Sequence, residues 1–208
     1  MDDPRGRLDR LARRWTPATS LVPALAPDAL LTWIDAAVER GDDAAVRAAV
    51  PRLLRLAIGD ALDPIPVWEG LDGLTRAGWR RWPLADRAAV EEVLDGWWWA
   101  SLLGHPSRPA VPDVLVAQAR VRGEVRPLLD RWTAELDGPG AVHLAELLRD
   151  GLDPGTHRLV HPGWVGSEDL ADQVVAWARS EAVILGLTLL GGSHLDRGLL
   201  SDALDRMI

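Results

Sequence analysis

Five of the chain's eleven tryptophans fall in Gly78–Leu103, GWRRWPLADRAAVEEVLDGWWWASLL. The spacing predicts one helix, Leu84–Leu103, entered through Pro83 after a Trp-Arg-Arg-Trp lead-in. A helix turns about 100° per residue, so Trp97, Trp98 and Trp99 leave the axis in three directions. Trp97 shares its face with Val90, Val93 and Leu94, a core position. Trp98 lies over Leu94 and beneath Leu102, on the flank. Trp99 sits over Asp95 and Glu92, at the edge of the polar face. Rings covering so much of one axis need neighbours on at least two sides, so this helix is expected to be central.

Helical periodicity continues on both sides of it. Arg5–Trp15 places Leu8, Leu11 and Trp15 on one face. Asp28 is expected to cap a helix to Arg40 with Leu30, Leu31, Ile34, Ala37 and Val38 turned inward. Gly41 closes it, Asp42 or Asp43 opens the next, and Pro51 either kinks that helix or restarts it. Val67–Ala77 is a helix weakened by Gly70 and Gly73. Past the tryptophan helix, Gly104–Pro112 holds three prolines and reads as a loop or linker. Asp113–Arg122, Glu124–Leu136 and Ala141–Arg149 are helical, and Pro127 is tolerated because it falls in a first turn. Gly151–Gly166 is irregular. Ser167 is expected to cap a helix through Trp177, and Ala182–Leu190 either extends it or forms another. Ser193 with Asp196 resembles a capping box for a last helix to Met207.

Alternation is absent and β-branched residues are scattered, so the expected class is all-α, about nine to eleven helices in one domain spanning 1–208, with a possible break near 104–112. Helix pairs starting near Asp28, Val67, Asp113 and Ser167 recur at about 40–50 residues, the scale of HEAT-type repeats. The segments are not self-similar, so a HEAT-like arrangement and an irregular helical bundle both stand.

The residue inventory limits chemistry. The chain has no Cys, Lys, Phe, Tyr or Asn. This excludes thiolate catalysis, thiolate metal sites, disulfides, Schiff bases and a phosphate-binding lysine. Any catalysis falls to Asp, Glu, His, Ser, Thr and Arg. A net charge of −8 argues against nucleic acid and is compatible with a basic protein partner. The N-terminus is charged with no apolar core of a signal peptide, and Ala182–Leu190 is too short to span a bilayer, so a cytoplasmic location is expected. The skewed composition suggests a GC-rich bacterial genome.

Ala49–Leu56 (AVPRLLRL), Ala77–Pro83 (AGWRRWP), Arg87–Trp98 and Gln173–Glu181 (QVVAWARSE) resemble segments of a family of Trp-rich, all-helical proteins from high-GC bacteria. The family has no assigned activity. The resemblance covers about half of the chain and implies a helical fold without implying a function, and this chain departs from the family in lacking Phe and Tyr.

Several constellations are candidates for chemistry. His157 and His161 are four apart, but Pro-Gly pairs flank them and disfavour a shared helical face; they remain weak metal candidates, with His143 and Glu146 (i, i+3) as further ligands. Ser193 beside His194 lacks the strand–turn–helix setting of an activated serine, and helix capping accounts for it. Glu91/Glu92 with Asp95, and Asp150 with Asp153, read as solvated carboxylates. In Trp79-Arg80-Arg81-Trp82, two guanidiniums between two rings suit an acidic or phosphorylated partner; alternatively the rings pack inward and the arginines pair with Asp86 or Glu91. Trp99 is a candidate partner anchor, or alternatively is covered by the proline-rich loop Pro106–Pro112.

The sequence therefore favours a non-enzymatic interaction protein, a scaffold or immunity-like adaptor. Its partner-binding residues would be Trp79, Arg80, Arg81, Trp82 and Trp99, with no cofactor and no catalytic residues. The alternative is a small-molecule site or enzyme in a tryptophan-lined pocket with His157, His161 and a carboxylate at its mouth.

Overall fold

The computed structural model describes residues 4–15, 22–189 and 196–207. It is 73% helical, and among the described residues the only β-pairing is an isolated antiparallel bridge between Leu152 and Leu159. The fold is all-α. No helix of the described residues is long and apolar enough to cross a membrane. The chain divides into two compact units: one runs to Ala100 and takes back Arg120–Arg122, the other comprises Ser101–Ala119 and everything from Gly123 onward.

In the first unit, α1 (Pro4–Trp15) and α2 (Pro27–Glu39) both pack against α3 (Asp43–Ile58), which also meets the 3-10 turn Val22–Ala24. Leu8 and Leu11 of α1 and Leu30, Ile34 and Ala37 of α2 are buried, as their spacing requires. Leu31 and Val38, also expected inside, are half-buried. The start of α2 differs from expectation: Ala26 is its cap position, Pro27 occupies the first turn, and Asp28 lies inside the helix. Asp42 caps α3, its side chain accepting from Ala45 N at 2.9 Å. Pro51 is buried within α3, which runs through it unbroken.

The expected helix Val67–Ala77 is two short pieces, α4 (Val67–Gly70) and α5 (Asp72–Arg76). Its glycines are there for contact. A Cβ on Gly70 would sit 2.8 Å from Leu62 Cδ1, and one on Gly73 2.9 Å from Ile34 Cγ2. Gly78, with φ +63, then turns the chain into a 3-10 turn, Trp79–Arg81, and α6 (Leu84–Leu103) follows.

Along α6, Val90, Val93, Leu94, Trp97 and Leu102 are buried. Trp98, expected on the flank, is as enclosed as Trp97, each 2% exposed. Trp99 is half-buried. On the opposite side Gly96 leaves room for Arg7, whose Cδ would lie 3.2 Å from an added Cβ and whose Nη1 donates to Glu92 O at 2.6 Å.

The second unit contains the last residues of α6, most of α7 (Val111–Arg122), then α8 (Arg126–Thr133), α9 (Pro139–Gly151), α10 (Glu168–Ala178), α11 (Glu181–Leu189) and α12 (Arg197–Asp205). Proline stands in the first turn of α7, α8 and α9, where its missing N–H costs no hydrogen bond. α12 packs on α9, and α10 packs on α8 and α11. Trp132 is buried with Nε1 donating to Gly140 O at 2.8 Å, and its ring lies 5.3 Å from that of Trp177.

Two capping expectations change. Ser167 holds the cap position of α10 without a side-chain bond, and Glu168 instead accepts from Gly166 N at 2.9 Å. Asp196 itself caps α12, accepting from Gly198 N at 2.6 Å. Gly191, Gly192, Ser193 and His194 lie outside the described residues.

Candidate functional site

Helix α9 places His143 and Glu146 three residues apart and therefore on one face. The loop 104–110, released by the end of α6, brings His105 to the same face. His105 Nε2 lies 3.1 Å from Glu146 Oε1, and the two imidazole rings are 5.1 Å apart at 52°. His143 Nδ1 is 3.8 Å from Glu146 Oε2. One nitrogen or oxygen from each of these residues lies within 4.8 Å of the others.

The tautomer of His143 follows from its neighbours. Its Nε2 is 2.7 Å from the carbonyl oxygen of Gly104, which only accepts, so Nε2 carries the proton. In the neutral ring Nδ1 then holds a lone pair aimed toward Glu146. Burial holds the His143 pKa below the usual histidine value, against the opposing pull of the Gly104 hydrogen bond, with nearby His105 lowering it further and Glu146 raising it.

These three residues form one wall of a cavity of about 580 Å³. His161 forms another part of it. Its Nδ1 accepts from Gly163 N at 3.1 Å, and its Nε2 faces Asp113 Oδ1 at 2.9 Å, so both ring nitrogens are engaged. Asp113 belongs to the first turn of α7. Arg149 and Asp150, joined by a 2.7 Å Nε–Oδ1 bond, also line the cavity. That hydrogen bond holds the Asp150 carboxyl below the usual carboxylate range. The remaining walls are apolar, among them Pro106, Val111, Leu147 and Val160.

The two histidines singled out by spacing part company. Leu152–Leu159 pairing folds the segment between them back on itself, with Asp153 N donating to Arg158 O at 2.9 Å. His157 sits at the turn with φ +53, its N–H donating to Asp153 O at 2.8 Å and its Nδ1 buried with no hydrogen-bond partner among the described residues. His161 alone lines the cavity. The Asp150/Asp153 pair is likewise divided. Asp150 takes Arg149, whereas Asp153 closes its own turn by accepting from Thr156 N, Thr156 Oγ1 and Gly155 N. Nor is the cavity lined by tryptophan. Trp164 lines a smaller cavity of about 350 Å³ together with His161, Asp153 and Glu168, and Trp177 lines another of about 550 Å³.

The candidate partner residues belong to the first unit. Trp79 is 1% exposed, with Nε1 donating to Val121 O at 3.0 Å. Trp82 is 4% exposed, edge-on to Trp15 at 5.8 Å and beneath the Arg47 guanidinium at 5.6 Å. Both rings thus face inward. Arg80 and Arg81 are exposed, but they do not take Asp86 or Glu91. Arg80 donates to Arg122 O at 2.7 Å, Arg81 folds over Gly78, and Asp86 is held by Arg14 at 2.9 Å and Trp15 Nε1 at 3.2 Å. Asp95 receives Arg122 at 2.7 Å, and Glu92 receives Arg10 at 2.9 Å.

His105 was invisible to sequence reasoning, since nothing local distinguishes a histidine in a proline-rich loop. The available signal was the His143/Glu146 pair, which needed only a third group brought to its face.

Fold and site together define an all-α protein with a histidine–carboxylate pocket in its second unit. Compared with models of protein families, with curated proteins and with solved structures, the chain matches none.

Proposed function

We propose that this chain is a small-molecule-binding protein whose working site is the histidine–carboxylate pocket. The observation that carries this reading is the convergence of His105, His143, Glu146 and His161 on one cavity of ligand size whose other walls, apart from Ser107 and the Arg149–Asp150 pair, are apolar. Such a pocket suits a compact organic molecule with an apolar body and one polar head, the head meeting the His105/Glu146 wall. The test is a ligand-observed NMR fragment screen on the full chain, repeated on Ala110→Trp. Ala110 is exposed and lines the pocket, so the larger ring fills the space without entering the core. Hits lost in that variant support the reading; hits that survive it, or none at all, overturn it.

A second reading keeps the chain as an adaptor that binds a protein through the corner of Arg80, Arg81 and Leu84. It is supported by Leu84, an apolar side chain 73% exposed beside two exposed guanidiniums, a combination that fits an acidic partner. Trp99, also a candidate partner residue, is half-buried on the same helix. A pull-down that returns a stoichiometric partner, lost on Arg80→Ala, is the outcome this reading requires.

A further inference from the structure

The arrangement around Glu146 contains an electrostatic mismatch. His143 Nδ1 and Glu146 Oε2 are 3.8 Å apart, and with the His143 proton committed to Gly104 both atoms are acceptors. A cation placed between these two acceptors would satisfy both. His105 Nε2, 3.1 Å from the other oxygen of the same carboxylate, also points its nitrogen at this spot.

We infer that His105, His143 and Glu146 form a binding site for a divalent transition-metal ion of the zinc class. A tetrahedral ion with bonds of about 2.0–2.2 Å keeps its ligand atoms roughly 3.2–3.6 Å apart. The observed 3.1 and 3.8 Å, each to one oxygen of the same carboxylate, bracket that range, and one ligand atom from each of the three residues lies within 4.8 Å of the others. Two imidazoles and one carboxylate favour zinc, cobalt or nickel over magnesium or calcium, which prefer all-oxygen shells. The Nε2–H to Gly104 carbonyl bond is the usual way of orienting a ligating histidine and fixing which nitrogen binds. His161 is not a fourth ligand, because Gly163 and Asp113 occupy its nitrogens. Three protein ligands leave one position for water or for a donor atom of a bound molecule. This deepens the pocket reading, on which the role of that open position rests: the polar head of the ligand would be a metal-coordinating group.

The test is titration of the metal-free full chain with Co²⁺, followed by visible absorption, and displacement by Zn²⁺ followed by calorimetry. The expected result is one equivalent bound, with ligand-field bands of a four-coordinate ion. His105→Ala and Glu146→Gln, both at partly exposed positions, should each weaken binding by on the order of 10–100-fold or more. His105→Cys, which restores a ligand, should recover it, and His161→Ala should leave it unchanged. Circular dichroism checks that each variant is folded. No stoichiometric binding, or binding indifferent to His105→Ala and Glu146→Gln, overturns the inference. Failure of the two readings is distinguishable: fragments that bind a chain unable to hold metal sink the metal site alone, whereas a metal site with no molecule bound in the pocket sinks the small-molecule reading alone.

Discussion

His143 Nε2 and the carbonyl oxygen of Gly104 are 2.7 Å apart, so a histidine in the middle of α9 is tied to the residue that follows α6. The bond satisfies a backbone acceptor at a helix end, and it aims the other ring nitrogen into the cavity. One contact therefore serves both the packing of the second unit and the chemistry of its pocket.

Replacing His143 with Ala should destabilise the chain by about 2–4 kcal/mol, combining a cavity with an orphaned carbonyl. His143→Gln, which can present an N–H near the same point, should recover part of the loss. Urea unfolding of the two variants checks this, and equal losses would show that the hydrogen bond contributes nothing.

Glycine-to-alanine changes should have opposite signs at two helical positions. An added Cβ at Gly140 would meet Glu135 O at 2.5 Å, backbone that cannot step aside, and Gly140 O already accepts from Trp132. Gly140→Ala should cost about 1–3 kcal/mol. At Gly6 nothing among the described residues lies within 4 Å of an added Cβ, so Gly6→Ala should stabilise by roughly 0.5–1 kcal/mol through helix propensity. Thermal midpoints that move the same way would contradict this.

Asp86, 9% exposed, gathers Arg14, Trp15 Nε1 and, at 4.0 Å, Arg47. Asp86→Ala should release the C-terminal turn of α1 and lower amide-exchange protection there, with α9 unaffected. The loss should be near 2 kcal/mol, since partly buried cations are left without their acceptor. Unchanged exchange in α1 would assign the anchoring of that helix to Leu8 and Leu11 alone.

Asp153 and Glu168 should titrate below their ordinary values of 3.8 and 4.5. Backbone N–H bonds cause both shifts, from Thr156 to Asp153 and from Gly166 to Glu168. The folded pKa values are the lower ones, so below 3.8 and 4.5 the unfolded chain binds more protons. Their contribution to stability is present above those values and is lost as pH falls through the folded pKa. Carboxyl-carbon NMR should show the low midpoints, and Thr156→Ala, which removes its hydroxyl donor, should raise that of Asp153.

The helices were legible because their causes are local. The bounds Leu84–Leu103, a cap at Asp42 or Asp43, Pro127 in a first turn and the buried Leu8/Leu11 and Leu30/Ile34/Ala37 stripes all follow from periodicity, caps and proline's missing donor. The all-α class follows from their sum. Local rules erred where a neighbour intervened. Val67–Ala77 broke in two as its glycines packed against Leu62 and Ile34, and Trp98 was buried by groups that no helical wheel contains.

The pocket belongs to tertiary structure. Spacing paired His157 with His161, yet His157 ends the turn that the Leu152–Leu159 bridge closes and only His161 reaches the cavity, where α9 and a proline-rich loop bring His105 to His143 and Glu146. Likewise the sequence leaves Trp79 and Trp82 open between surface and core, and Val121 O, Trp15 and Arg47 decide for the core. Periodicity determines which face of a segment turns inward, because that depends on the chain's own geometry and on the transfer of apolar groups from water. Which side chains then meet depends on how distant segments close on one another, and that information is spread over the whole chain.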